Sequence, residues 1–91
     1  MTSSTDLTLN DYQDASARRS RIFDDSDAEI EHWISGLLQA VNNLADLTVR
    51  HKKPFGTREV GAEAGDALFA LARALDFYGL SLSDIAEDSI P

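Results

Sequence analysis

Two amphipathic stripes of helical period, divided by a proline–glycine break, constrain this chain more than anything else in it. Ile30, Trp33, Ile34, Leu37, Leu38, Val41, Leu44 and Ala45 recur at intervals of three and four, the spacing that lines one face of an α-helix. No proline interrupts the run, so the pattern predicts a helix from about Ala28 to about Arg50. The segment HKKPFGT ends it, because Pro54 cannot continue a helix and Gly56 suits a turn. A second stripe follows in Val60, Ala64, Ala67, Leu68, Leu71, Leu75 and Tyr78. Its many alanines predict close helix–helix approach, while Gly61 and Gly65 weaken the helix locally. Alternating apolar and polar residues, the mark of a half-buried strand, occur nowhere. Two long helices joined by a short break pack antiparallel, so the chain reads as all-α.

The flanks add two shorter helices. Thr8 with Asp11 marks an N-cap with an acid in the first turn. Ser26 with Glu29 is read as a capping box opening the first long helix, and Thr57 as the cap of the second. Gly79 is placed as the C′ residue of that second helix, since glycine enters the left-handed region without a steric penalty. Ser81 with Asp84 then caps a short C-terminal helix. Residues 1–7 read as a flexible tail and 8–91 as a single helical domain.

Length and charge narrow the function classes. A chain of 91 residues buries a limited fraction of its surface, and oligomerisation is a common remedy. Sixteen acids against eight bases give a net charge of −8, which argues against general nucleic-acid or anionic-membrane binding and permits a cation site. No apolar run reaches membrane-spanning length. The opening MTSSTDLTLNDY lacks a basic segment followed by an apolar one, so no signal peptide is expected and a cytoplasmic, soluble protein is. The absence of cysteine excludes disulfide and thiolate chemistry, and two histidines are too few for a histidine-rich metal site.

On the second long helix Glu59, Glu63 and Asp66 stand four and then three apart. They fall within about 60° of one another on the helical wheel, beside the apolar stripe. Carboxylates so placed can converge on a hard cation such as magnesium, which takes oxygen ligands and keeps several waters. The competing reading is electrostatic: acids in the first turns of a helix favour its dipole.

The stretch EAGDALFALARALDFYGLSLSDIAE resembles the third and fourth helices of the MazG-like nucleoside triphosphate pyrophosphohydrolases, with their E-L-G-D-V-L-x-x-L segment, short turn and L-x-L-x-D-I/A. TLNDYQ is similar to the T-L-N-E-Y-Q opening of small members, and GLLQAVNNLADLTVRHKK falls where the family has G-L-x-G-E-x-G-E-x-A-D-x-x-K-K. The resemblance spans roughly residues 8–90. It implies a MazG-like helical bundle completed by dimerisation, and Mg²⁺-assisted hydrolysis of a nucleoside triphosphate to the monophosphate and pyrophosphate. The family's metal ligands come from an E-x-x-E pair on one helix and an E-x-x-D pair on the next. Glu63 and Asp66 match the second pair, whereas the first falls on Ala40 and Asn43. Asn43 offers an amide oxygen, and Asp46 and Glu59 are further possible ligands. A slip making Asn43 and Asp46 the pair would move Gly36, Leu37 and Ala45 out of correspondence. A carboxylate about 4 Å from a unit charge contributes roughly 4 kcal/mol at an effective dielectric near 20, before desolvation. Losing two should leave the magnesium site weak or incomplete.

Arg50, His51, Lys52 and Lys53 form the densest basic cluster, which complements a helix C-terminus. The resemblance also allows Arg50, Lys52 and Lys53 to contact substrate phosphate. Arg18, Arg19 and Arg21 form a second cluster, expected to pair with the acids around Asp24. Trp33 is expected in the core, with base stacking as the alternative, and His32 on the surface beside the stripe. There is no glycine-rich phosphate loop. Three functions compete: a catalytically impaired relative that binds nucleotide or regulates, an active Mg²⁺-dependent pyrophosphohydrolase, and a helical protein-interaction module. A homodimer would repeat the deficit in every site, whereas a partner protein could supply the missing acids.

Overall fold

The computed structural model describes residues 7–47 and 57–91. They form four helices and no strand: α1 (Leu9–Arg18), α2 (Ser26–Ala45), α3 (Thr57–Phe77) and α4 (Leu82–Asp88). The expected extension of α2 to Arg50 and the HKKPFG segment lie outside the described residues, as does nearly all of the predicted tail. No helix among the described residues is long and apolar enough to cross a membrane.

The helix ends are set by local chemistry. At α1 the Thr8 hydroxyl accepts the Asp11 N–H at 3.0 Å, and the Asp11 carboxylate accepts the Thr8 N–H at 3.3 Å, a complete capping box. At α2 the cap is one residue earlier than Ser26–Glu29 predicts. Asp25 takes the extended conformation and its carboxylate accepts the Asp27 N–H at 3.0 Å, so Ser26 is already the first helical residue. Carboxylate and hydroxyl compete for the same orphan N–H groups, and here the carboxylate, which also complements the helix dipole, holds the cap. Thr57 is likewise inside α3 as its first residue, and its side chain lies outside the described residues. At the other end of α3, Gly79 has φ +71. The Leu80 N–H bonds to Leu75 O at 2.9 Å and the Gly79 N–H to Asp76 O at 3.0 Å, the paired bonds of a Schellman turn. Ser81 then caps α4 by accepting the Asp84 N–H at 3.3 Å.

α2 and α3 pack most extensively and run antiparallel: Gly36 faces Ala70, and Asn43 reaches Glu63, so one helix descends in number as the other climbs. Their seam is built from small residues. Ala40, Ala70 and Ala74 are buried, and among the described large apolar side chains Trp33 and Leu82 are the ones less than a tenth exposed. The larger aliphatics of the predicted α2 stripe do not all face inward. Ile34 is 49% exposed, Leu38 61% and Val41 50%, and Leu68 on α3 and Tyr78 just past its end are also exposed. Each stripe is wider than one neighbouring helix can cover, so half of it looks away from the seam.

α1 and α4 are fastened by polar contacts. Gln13 is buried, donating through Nε2 to Leu80 O and accepting the Leu82 N–H through Oε1, both at 2.8 Å. Arg73, 5% exposed, donates to Ser16 Oγ at 3.0 Å, to Gln13 O at 3.3 Å and to Asp76 Oδ2 at 2.8 Å. One glutamine and one arginine thus tie α1 to both α3 and the start of α4. Of the basic cluster near Asp24, Arg21 sets its guanidinium over the Phe23 ring, 4.7 Å from the centroid.

Candidate functional site

The α2–α3 seam opens on one side into a cleft of about 280 Å³. Its floor is Gly36, Ala40 and Ala70, residues too small to fill the gap between the helices. Helical periodicity brings Asn43 over Ala40 on α2 and Glu63 beside Asp66 on α3. The positions matched to the family's two ligand pairs, 40 and 43 against 63 and 66, therefore line one cavity. Glu63 is half-buried and Asp66 exposed at the rim.

A chain of amides crosses this cleft. Gln39 Nε2 donates to Asn43 Oδ1 at 3.0 Å, and Asn43 Nδ2 donates to Glu63 Oε1 at 3.0 Å. Asn43 thus presents hydrogen to Glu63, and its own carbonyl oxygen accepts from Gln39. Asp46 and Glu59 line an adjoining hollow of about 410 Å³ with Asn43 and Glu63. Among the described residues no group of three or more His, Cys, Asp or Glu side chains is placed to hold a metal ion. Magnesium needs near-octahedral oxygen ligation. Two carboxylates, Glu63 and Asp66, with a methyl group at Ala40 and an amide at Asn43, leave four or more of those positions to water or to a bound ligand's oxygens.

The other end of the cleft is aromatic. The Trp33 ring lies 5.7 Å from Phe69 and 4.7 Å from His32 between centroids, with Phe23 5.8 Å away behind them. Each pair is tilted edge to face, the arrangement favoured by ring quadrupoles. The Trp33 indole N–H is buried and has no hydrogen-bond partner, the one such side-chain atom among the described residues. Trp33 is in the core as expected, yet it also lines the cleft. His32 is exposed and lies against Trp33 and Phe23. Tyr12 of α1 stands near Asp66: burial, and then the Asp66 carboxylate, raise the phenol above its ordinary value.

Sequence reasoning did not single out Phe69, Gln39 or Tyr12. Phe69 falls off the apolar stripe of α3, on the flank toward the cleft, and only the fold shows that this flank is enclosed. Gln39 could have been found from its i,i+4 spacing to Asn43. Arg50, Lys52 and Lys53 lie outside the described residues. Compared with protein-family models, curated proteins and solved structures, the chain matches none of them.

Proposed function

We propose that the chain is a catalytically impaired MazG-like protein that binds a nucleotide in the α2–α3 cleft. The observation that carries this reading is the meeting of positions 40, 43, 63 and 66 in one cavity, with carboxylates at only two of them. Register between the two helices agrees with the resemblance, since Asn43 faces Glu63 directly at 3.0 Å. The aromatic end supports a base, and the small-residue floor leaves room for it. Of the two carboxylate pairs that hydrolysis draws on in the family, this chain has only the second, Glu63 and Asp66, at the matched positions.

The test is pyrophosphate release from a mixture of the canonical nucleoside triphosphates, with and without magnesium, using Glu63→Ala as the control. The expected result is no metal-dependent release above that control. Release abolished by Glu63→Ala would establish the second reading, an active pyrophosphohydrolase. That reading draws on Asp46 and Glu59, which share a hollow with Glu63.

A two-fold homodimer belongs to the same proposal. Ile34, Leu38 and Val41 on α2, with Ala64, Leu68 and half-covered Leu71 and Leu75 on α3, occupy the flanks that face away from the cleft. On α3 no charged residue falls on this flank between Val60 and Leu75, and on α2 the exposed Glu31 stands one turn before Ile34 at its N-terminal edge. Among the described residues no large side chain is fully buried, so one chain's own core is small. A second copy offers an identical layer and turns two helices into a four-helix bundle.

A further inference from the structure

Four hollows along this acidic bundle each have at least two carboxylates in their walls. Another, of about 260 Å³ between α1 and α3, has none. Tyr12, Ala15 and Arg19 from one face of α1 and Phe69 from α3 form its walls, with buried Ser16 as its floor. The Ser16 hydroxyl is already committed, donating to Gln13 O at 2.7 Å and accepting from Arg73 Nε at 3.0 Å. Asp76, 2.8 Å from the Arg73 guanidinium, offsets that buried charge. The Tyr12 hydroxyl and the Arg19 guanidinium are the polar groups still open. Among the described residues neither makes a hydrogen bond or an ion pair. They stand at opposite ends of the hollow: seven residues of helix rise about 10 Å, a span that a benzene ring with a group at each end fills. Asp66 acts by charge on the Tyr12 phenol, so that end repels a second anion.

We propose that this hollow binds a small aromatic carboxylate, with its charged head on Arg19 and a neutral hydrogen-bond acceptor at its far end on the Tyr12 hydroxyl. The guanidinium takes the carboxylate through two parallel N–H bonds. The ring of the ligand lies against Phe69 and Ala15, and Phe69 divides the hollow from the α2–α3 cleft. The site therefore stands apart from the nucleotide-binding reading and does not rest on it. Arg19 also complements the C-terminus of α1. Arg18, in the last turn of α1, serves that purpose as well and forms no part of the hollow, which makes it the control for charge alone.

The experiment titrates the full chain with para-hydroxybenzoate, benzoate, terephthalate and inorganic phosphate at fixed ionic strength, following backbone amide and arginine Nε–H signals by NMR. Para-hydroxybenzoate should give saturable shifts at Tyr12, Arg19 and Phe69. Benzoate should bind more weakly, and terephthalate, with a second carboxylate facing Asp66, more weakly still. Arg19→Gln should weaken binding by about tenfold to a hundredfold, the range for hydrogen bonds to a charged group. Arg18→Gln should leave it unchanged. Tyr12→Phe keeps the ring and removes the hydroxyl, so para-hydroxybenzoate and benzoate should then bind alike, a loss of selectivity that general loosening of α1 does not produce. The absence of any saturable shift, or shifts centred on the α2–α3 cleft, would overturn the proposal. So would inorganic phosphate binding as tightly as para-hydroxybenzoate, or equal losses in Arg18→Gln and Arg19→Gln.

Discussion

At the scale of single residues, Asn43 and Ala40 decide what the cleft can do. Ala40 is 2% exposed, so a glutamate introduced there enters a closed seam. Unpaired, a buried carboxylate is costly; coordinated, it is satisfied. Ala40→Glu with Asn43→Glu should therefore be less stable than the parent in chelator and recover when magnesium is added. Magnesium at a hundred times its dissociation constant should restore about 2.7 kcal/mol. Thermal unfolding with and without metal checks this, and no magnesium dependence would mean that positions 40 and 43 do not face the carboxylates as drawn. Tyr12 carries a separate consequence. Its phenol is held above the ordinary value by burial and by Asp66, so the fold favours the protonated form. That contribution is fully present below the unfolded phenol value of about 10 and is lost as pH rises through the folded one. Denaturant melts should lose stability above about pH 10, and Tyr12→Phe should flatten that part of the loss.

At the scale of elements, the caps and turns were legible, and the inward faces were less so. Thr8, Gly79 and Ser81 act as their local sequence predicts, because a cap depends on a few adjacent atoms. Asp25 against Ser26 was a choice between neighbouring capping residues, settled by which of them takes the extended backbone. The stripes gave two antiparallel helices but misjudged their burial. Leu38 and Val41 look outward while Ala40 sits in the seam, because apolar arcs this broad do not show which part meets the neighbour. Glu63 and Asp66 were visible from spacing; their amide partner chain required the two helices to be set side by side. Nothing in the stripes announced Arg73, a charged residue on α3 that is buried under α1. Arg73→Ala leaves the Ser16 hydroxyl and the Gln13 carbonyl without this donor. It should cost about 2–3 kcal/mol in chemical denaturation, the range for hydrogen bonds to a charged group that are partly buried. A loss below a few tenths of a kcal/mol would mean that α1 is held by other contacts.

At the scale of the whole molecule, the open flanks of α2 and α3 matter most. A layer of two helices with one uncovered apolar face is half a bundle, and in the homodimer proposed above a second copy supplies the other half. Light scattering should report twice the 10.0 kDa chain mass. Leu38→Glu, on the exposed flank and remote from the cleft, should return the mass to 10.0 kDa. A parent protein that already scatters as 10.0 kDa would refute the dimer and leave the cleft proposal untouched.

The polar clasp of α1 and α4 has a kinetic meaning of its own. Gln13 and Arg73 hold these helices largely through directed hydrogen bonds. Releasing the clasp uncovers Leu82 but leaves the α2–α3 seam closed, so its opening should depend on denaturant less steeply than global unfolding does. Backbone amides of α1 and α4 should therefore exchange with solvent through sub-global openings, while the α2–α3 seam exchanges only when the whole bundle comes apart.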